Sequence, residues 1–130
     1  MPRLTLRIDF DQDRAIGPGK IKLLELIDRL GSIAAAGRQM GMSYRRAWLL
    51  VDSVNRCFKQ PVVASQAGGQ NGGGASLTTL GHTVVQHYRA VETAACMAGA
   101  ADIAALSAAL ADPAPEPAAA KTRRLALSVG

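Results

Sequence analysis

The residues in this sequence whose types and spacing are best suited to chemistry form a short run, Ser43-Tyr44-Arg45-Arg46, at the start of a helix-forming stretch. Arginine guanidinium groups bind phosphate oxygens and can make two parallel hydrogen bonds to a guanine edge. A helix N-terminus adds main-chain N–H groups that attract anions. At helical spacing, a further hydroxyl and a further arginine fall on the same outward side. The candidate contact residues are Ser43, Tyr44, Arg45, Arg46, Ser53 and Arg56.

Catalytic and metal-binding alternatives have little support in the sequence. The acidic residues are scattered, and no nucleophile has a base at a spacing typical of a catalytic site. Cys57 and Cys96 are far apart and have no second cysteine or histidine at metal-ligand spacing. His82 and His87 fall on different faces of one helical stretch. We therefore expect no enzyme, no metal site and no cofactor.

The charge of the chain is concentrated in its first half. The whole sequence has 15 basic and 10 acidic residues, a net charge of +5. Eleven of the basic residues and six of the acidic ones precede residue 61, so this half alone accounts for the excess. A basic, compact segment favours a polyanionic partner, of which nucleic acid is the commonest. The hydrophobic fraction of 48%, with only 4% aromatic residues, favours small helices over a β-sandwich.

Short helices are expected to position the candidate contact residues. Gly31 and Gly41 end helical stretches, and Ser32 and Ser43 are well placed as N-caps of the stretches that follow. The close spacing of the second and third helices predicts a helix-turn-helix. The predicted elements are a strand over residues 4–8 and helices over 18–30, 33–40 and 44–58.

The third of these helices is predicted to have one buried face. Ala47, Val51 and Val54 recur at helical spacing and should face the core. Trp48 lies roughly at right angles to that direction, and we expect it to pack against the next element rather than stack on a base. For Tyr44, in the first turn, phosphate contact and structural packing are equally open.

A β-hairpin is predicted after the third helix. Short apolar runs at 62–64 and 76–77 flank the glycine-rich tip AGGQNGGGA. The tip matches neither of the glycine motifs that bind nucleotide phosphates. Gln70 and Asn71 could hydrogen-bond to a nucleic-acid backbone from this tip, and a merely flexible tip is the alternative.

A long helical pattern begins near residue 79, and Gly99 and Asp102 are expected to divide it. Its apolar stripe is larger than a small three-helix core should cover, so we expect two copies of the chain to pair through it. A helix that folds back over its own domain is the alternative. The predicted dimerisation residues are Leu80, Val84, Tyr88, Val91, Ala95, Ile103, Leu106 and Leu110.

Several of these segments carry a family resemblance. They are residues 22–28, residues 31–36, residues 41–48 with Asn55 and Phe58, and the hairpin residues 68–78 with Gly81. Together they resemble the N-terminal winged-helix domain of the ModE molybdate-responsive transcriptional regulators, distant relatives of the LysR-type DNA-binding domain. The resemblance implies a mainly α fold with a small β-hairpin, a winged helix-turn-helix followed by a long C-terminal dimerisation helix.

The same resemblance implies a homodimeric regulator that binds specific sequences of double-stranded DNA. The expected domains are a DNA-binding domain over 1–92, a dimerisation segment over 79–111 and a Pro/Ala-rich tail over 112–130. In the family, molybdate binds to C-terminal β-barrel domains, whereas few residues follow Pro113 here. We therefore expect a stand-alone form that binds no molybdate, with an effector acting through another protein as the alternative. A winged-helix protein-interaction module that does not bind DNA is the competing functional class.

The sequence favours the cytoplasm. The start, MPRLTLRIDF, has no apolar region typical of an export signal. The alanine-rich stretch over 94–111 contains Asp102, and an aspartate at a membrane centre costs about 2.5 to 3.5 kcal/mol. We therefore expect no membrane contact.

Overall fold

The computed structural model describes residues 2–66 and 73–113. The described chain is mostly helical, with two small antiparallel strand pairs. The strands are β1 (Ile8–Asp9), β2 (Ala15–Ile16), β3 (Val63–Gln66) and β4 (Gly74–Leu77), and the helices are α1 (Pro18–Leu30), α2 (Ile33–Gln39), α3 (Tyr44–Cys57), α4 (Thr79–Ala98) and α5 (Ala100–Ala108). The described residues form two compact units, one over residues 3–98 and one over residues 99–113.

The ends of the first three helices follow from local sequence, as predicted. Gly31 ends α1 in the left-handed conformation, with φ of 82°, and its N–H donates to the carbonyl of Ile27. The Ser32 hydroxyl accepts from the Ala35 N–H at 3.0 Å and caps α2. The Ser43 hydroxyl accepts from the Arg46 N–H at 3.1 Å and caps α3. The two serine caps use N–H groups that a helix start leaves without a partner, and the Gly31 bond satisfies a carbonyl at a helix end.

The N-terminal strand differs from the prediction. Only Ile8 and Asp9 are in β1, which pairs with β2, a strand that the sequence pattern did not predict. The segment before β1 is held by a helix instead, because the Tyr88 hydroxyl donates to the carbonyl of Leu6 at 2.6 Å. Alternating apolar residues here mark contact with the core rather than a longer sheet.

The core of the first unit collects one face of every helix in that unit. The buried residues of α1 are its centre, and α3, the base of the hairpin and α4 close around them. Its largest fully buried side chains belong to Ile21, Leu23, Leu24, Leu26, Ile27, Val54, Val62 and Tyr88. Burying side chains of this size contributes about 1.5 to 3 kcal/mol each before entropic costs.

Two glycines lie where neighbouring elements approach closely, one in α2 against α3 and one in α4 against the base of the hairpin. A Cβ at Gly37 would lie 3.0 Å from the Cβ of Ala47, so α2 and α3 pack almost backbone to backbone. A Cβ at Gly81 would lie 2.1 Å from the carbonyl oxygen of Val62, which fixes the start of α4 against the hairpin. The first contact brings α2 against α3, and the second brings α4 against the base of the hairpin.

The residues of the predicted dimerisation stripe differ in burial: some lie in the core of their own unit and others are exposed. Val84 and Tyr88 lie in the core of their own unit, with Tyr88 only 1% exposed, and Leu80 is half-buried against the same core. The first half of α4 therefore covers its own domain, which the sequence analysis treated as the alternative. Val91 is exposed, and Ala95 is half-buried.

The second unit contains α5, which follows a break at Gly99 as predicted and ends at Ala108. Asp102 was also expected at the break, but it lies in the first turn of α5, where a carboxylate interacts favourably with the helix dipole. None of its residues is buried, and Leu106 is 71% exposed. No single helix among the described residues is long and apolar enough to cross a membrane, and α4 and α5 meet that length and composition only when counted together.

Candidate nucleic-acid interface

The first turn of α3 is presented at the surface by a short connection from α2. Gly41 adopts a φ of 71° in this connection, and the Met42 N–H donates to the carbonyl of Gly37 at 2.9 Å. Since Gly37 also touches Ala47, the connection and the buried face of α3 are anchored at the same point. The N-terminus of α3 is thereby held in a fixed, exposed position.

Three arginines around this N-terminus have no anionic partner in the described part of the chain. Arg38, Arg45 and Arg46 are all exposed. No carboxylate of residues 2–66 or 73–113 lies within 4.0 Å of their guanidinium nitrogens, since the ion pairs found there involve other cations. The dipole of α3 adds partial positive charge at the same end. The arrangement can therefore bind an external anion such as a phosphate.

The structure separates Ser53 and Arg56 from this free group. Arg56 forms an ion pair with Asp52 one turn earlier, and its Nε donates to Oδ2 at 3.0 Å. Ser53 is half-buried, and its hydroxyl accepts from Nζ of Lys20 at 3.1 Å. The same ammonium donates to the carbonyl of Ala15. Both side chains thus have partners within the chain, which helical spacing alone did not reveal for Ser53.

Trp48, predicted to pack against the hairpin, is about half-exposed. Its side chain is 46% exposed, Tyr44 one turn earlier is 57% exposed, and Leu49 is 47% exposed. The core direction of α3 is filled by Ala47, Val51 and Val54, and Leu50 packs against the same core, whereas Trp48 and Leu49 lie outside it. Sequence reasoning missed this because helical geometry fixes the direction of a side chain but not what covers it.

A cleft of about 610 Å³ separates the N-terminal turns of α2 and α3 from the hairpin. It is lined by Ser32, Ile33, Ala34 and Arg38, by Tyr44 and Trp48, and by Ser65, Gln66 and residues 73–75 of the hairpin. Arg38 was not among the predicted contact residues. Its signal was available, because it is a polar position in the last turn of α2, directly before the connection to α3.

The base of the hairpin is fastened to α3. Oδ1 of Asn55 accepts from the N–H groups of Val62 and Val63 at 2.8 and 3.1 Å. On the other strand, the Ala75 N–H donates to the carbonyl of Gly31 at 2.9 Å. Hairpin pairing runs from Val63 opposite Leu77 to Gln66 opposite Gly74. Gln70 and Asn71, the predicted contact residues of the tip, lie outside the described residues.

Arg89 of α4 differs from the arginines of α3 because carboxylates hold it. Its Nη2 donates to Glu25 at 2.6 Å and its Nη1 to Glu92 at 2.8 Å. The hydrogen bond from this guanidinium holds the pKa of Glu25 below its usual range, although partial burial opposes the shift. The pKa of Arg89 is raised for the same reason. This cluster joins α1 to α4 and is not free to bind an external anion.

No protein-family model matches the chain. Curated relatives do. The chain is 40% identical over 87 residues to the molybdenum transport protein ModE of Azotobacter vinelandii, which is 67% of this chain and 32% of that protein. It is 34% identical over 89 residues to the transcriptional regulator ModE of Haemophilus influenzae, covering 68% and 35%. It is 33% identical over 85 residues to the DNA-binding transcriptional dual regulator ModE of Escherichia coli K12, covering 65% and 32%. The chain thus spans about a third of the length of these relatives.

Proposed function

We propose that this protein is a transcriptional regulator that binds specific sequences of double-stranded DNA through a winged helix-turn-helix. The helix-turn-helix consists of α2 and α3, and the wing is the hairpin of β3 and β4. The observation that carries the proposal is the set of exposed guanidinium groups around the N-terminus of α3, for which the described residues provide no carboxylate within 4.0 Å. Two of the similar proteins are named transcriptional regulators, and one of these names includes DNA binding, which supports the same function.

In this proposal the N-terminal turns of α3 enter the major groove. Arg45 lies opposite the buried face of the helix and pairs with a base edge, where an arginine can make two hydrogen bonds to guanine. Arg46 and Arg38 flank it and bind phosphates. The Ser43 hydroxyl, whose oxygen already accepts from the Arg46 N–H, has its proton free to donate to a phosphate.

The remaining predicted contacts make smaller contributions. Tyr44 reaches the backbone from the first turn of α3. Arg56 must exchange Asp52 for a phosphate, and Ser53 positions Lys20. Gln70 and Asn71 of the tip contact the DNA backbone and support affinity more than specificity. Shortening the tip should weaken binding to specific and random duplexes equally, and a loss for the specific duplex alone would contradict this role.

We also propose that two copies of the chain pair through the segment over residues 79–111. Its exposed candidates are Val91, at the middle of α4, and Leu106 and Leu110 of the second unit. A nine-residue helix without a buried residue is marginal in water, so α5 needs another surface to cover it. A two-fold dimer would present its α3 helices to half-sites about 34 Å apart.

The dimer is tested with the double variant Val91→Glu, Leu106→Glu. Carboxylates on a buried apolar interface should separate the copies, because an unpaired charge is costly to desolvate. Sedimentation should then show a monomer with much weaker affinity for duplex DNA. A wild-type chain that sediments as a monomer at micromolar concentration would overturn the dimer and the spacing of half-sites.

Duplex binding itself is tested by fluorescence anisotropy. The full chain first selects duplexes from a random-sequence library, and the strongest one is then labelled and titrated. Arg46→Ala should weaken binding to this duplex and to random DNA alike, whereas Lys22→Ala, an exposed cation beside α4, is the matched control and should not. Failure to select or bind any duplex at low salt would favour the alternative, a module that binds another protein.

Molybdate is not a ligand of this chain in our proposal. The arginines of α3 are assigned to DNA, and those of the α1–α4 cluster are neutralised by carboxylates. Titration calorimetry with molybdate should give no saturable heat. Saturable binding at micromolar concentration would contradict the assignment.

A further inference from the structure

We propose that Trp48 is a specificity-determining residue whose indole, with the side chain of Leu49, contacts the C5-methyl groups of thymine in the major groove. The inference rests on the duplex binding proposed above, and it names the chemical group that one side of α3 recognises. Neither residue was expected at the interface from the sequence. We place them at the interface because both side chains are exposed on α3.

The exposure of these side chains is not explained by the packing of α3. Ala47, Val51 and Val54 fill its buried side and Leu50 packs against the same core, whereas Trp48 and Leu49 are left about half in water. Keeping so much apolar surface hydrated forgoes the stabilisation that burial would provide. Exposed apolar groups gathered on a polar rim are typical of surfaces that another molecule covers. Here the rim is formed by Arg38 and Arg45.

The surroundings of Trp48 indicate which kind of molecule fits. Trp48 follows Tyr44 by one turn and lies on the same side of α3, along the cleft that faces the hairpin. Arg38 stands at one side of this cleft, and Gln66 of β3 at the other. The cleft therefore combines a cation, two aromatic rings and an amide. A DNA groove edge presents matching groups, with phosphates outside and base edges inside.

Among the base edges of the major groove, one group is apolar. Guanine and adenine present polar acceptors and donors, cytosine presents an amino group, and thymine presents its C5-methyl. A pair of neighbouring apolar side chains gains by covering that methyl and loses by covering an amino group, which would be left without a partner. Trp48 and Leu49 therefore favour thymine over cytosine at the base pair they contact, while Arg45 selects its own base beside them.

Trp48 is the only tryptophan of the chain, so its fluorescence reports on this contact directly. The wild-type chain is titrated with the duplex that it selects, and end-label anisotropy establishes saturation. Acrylamide quenching of Trp48 should then fall by at least about twofold, because DNA covers a half-exposed indole. Unchanged quenching at saturation would overturn the role of Trp48 and leave the proposed function standing. Absence of saturable binding would defeat the proposed function itself.

The methyl contact is tested by replacing each thymine of the duplex in turn with deoxyuracil, which lacks only the methyl group. At least one position in a half-site should lose about threefold to tenfold in affinity for the wild-type chain. Trp48→Ala should abolish that loss, so that both duplexes bind equally. The control variant Phe10→Ala removes another exposed aromatic, which contacts Phe58 at the opposite end of α3 from Tyr44, and should keep the loss of affinity for the deoxyuracil duplex.

A methyl sensitivity that is the same in Trp48→Ala as in wild type would overturn the inference. Because Trp48 is half-exposed, its truncation should leave the midpoint of urea unfolding nearly unchanged, which circular dichroism verifies. Should Trp48→Ala not fold, the quenching measurement on the wild-type chain decides alone.

Discussion

The arginines at the start of α3 and the arginine of α4 differ in whether carboxylates of the fold neutralise them. Arg89 lies between Glu25 and Glu92, half-buried, and joins two helices of the core. Arg45 and Arg46 stand at a helix N-terminus, where the described residues offer them no carboxylate. The helix dipole disfavours cations at that end, so these side chains do not stabilise their own helix.

The difference separates a structural role from a binding role. A guanidinium with two carboxylates has its charge satisfied inside the fold, and its removal should change stability. A guanidinium held at an unfavourable helix end has no such use and is available to an external phosphate. Arg56 is intermediate, because it is exposed but paired with Asp52.

The largest effect is expected for Arg45→Ala. Binding to the selected duplex should weaken by about 1 to 3 kcal/mol if the side chain pairs with a base. The free energy of unfolding should change by less than about 0.5 kcal/mol, as for most exposed positions. Anisotropy and urea unfolding measure the two quantities. Unchanged affinity would place Arg45 outside the interface.

Arg89→Met should lower the free energy of unfolding and leave the affinity for DNA unchanged, the opposite of Arg45→Ala. It removes both ion pairs, and we expect a loss of about 1 kcal/mol in unfolding free energy, since the pairs are partly exposed to solvent. Affinity for the selected duplex, measured where the variant is fully folded, should stay within error of wild type. A specific loss of DNA binding would remove the distinction between the two groups.

Asp52→Asn tests whether Arg56 can bind DNA once its ion pair with Asp52 is removed. The substitution frees Arg56 and removes a negative charge from the outer face of α3, so affinity for duplex DNA should rise by about 0.5 kcal/mol at low salt. The double variant Asp52→Asn, Arg56→Ala should lose this gain. If Asp52→Asn weakens binding, the carboxylate has a direct role at the interface.

The smallest effect concerns pH. Arg89 lowers the folded-state pKa of Glu25 below its ordinary value of 4.5, so the stabilisation is complete above that value and is lost as pH falls through the folded-state pKa. The stability advantage of wild type over Glu25→Gln should therefore be present near neutral pH and shrink in acid. We expect less than about 0.5 kcal/mol, because the pair is only partly buried. An advantage that grows in acid would refute the coupling.

Local signals in the sequence were sufficient for the first three helices. Proline at a first turn, glycine after a last turn and serine N-caps act within a few residues, so α1, α2 and α3 begin and end close to their predicted positions. The hairpin also follows from local pattern. β2 did not, because Ala15 and Ile16 form a strand only through pairing with β1 across a polar turn.

What the sequence could not show is which surfaces meet. Trp48 was predicted to pack against the hairpin and is half-exposed, whereas Val84 and Tyr88 were predicted at a dimer interface and are buried in their own domain. Helical periodicity gives the direction of each side chain but not the element opposite it. The Asp52–Arg56 pair, by contrast, could have been found from its spacing of one turn.

The central claim is that the free guanidinium groups around α3 bind DNA phosphates, and salt dependence tests it most directly. Affinity of the wild-type chain for its selected duplex should fall linearly with salt on logarithmic axes, with a slope of about −0.9 for each phosphate bound. Arg46→Ala should reduce that slope by about one unit, while Lys22→Ala should not. Affinity that does not depend on salt, or an unchanged slope in Arg46→Ala, would contradict the account.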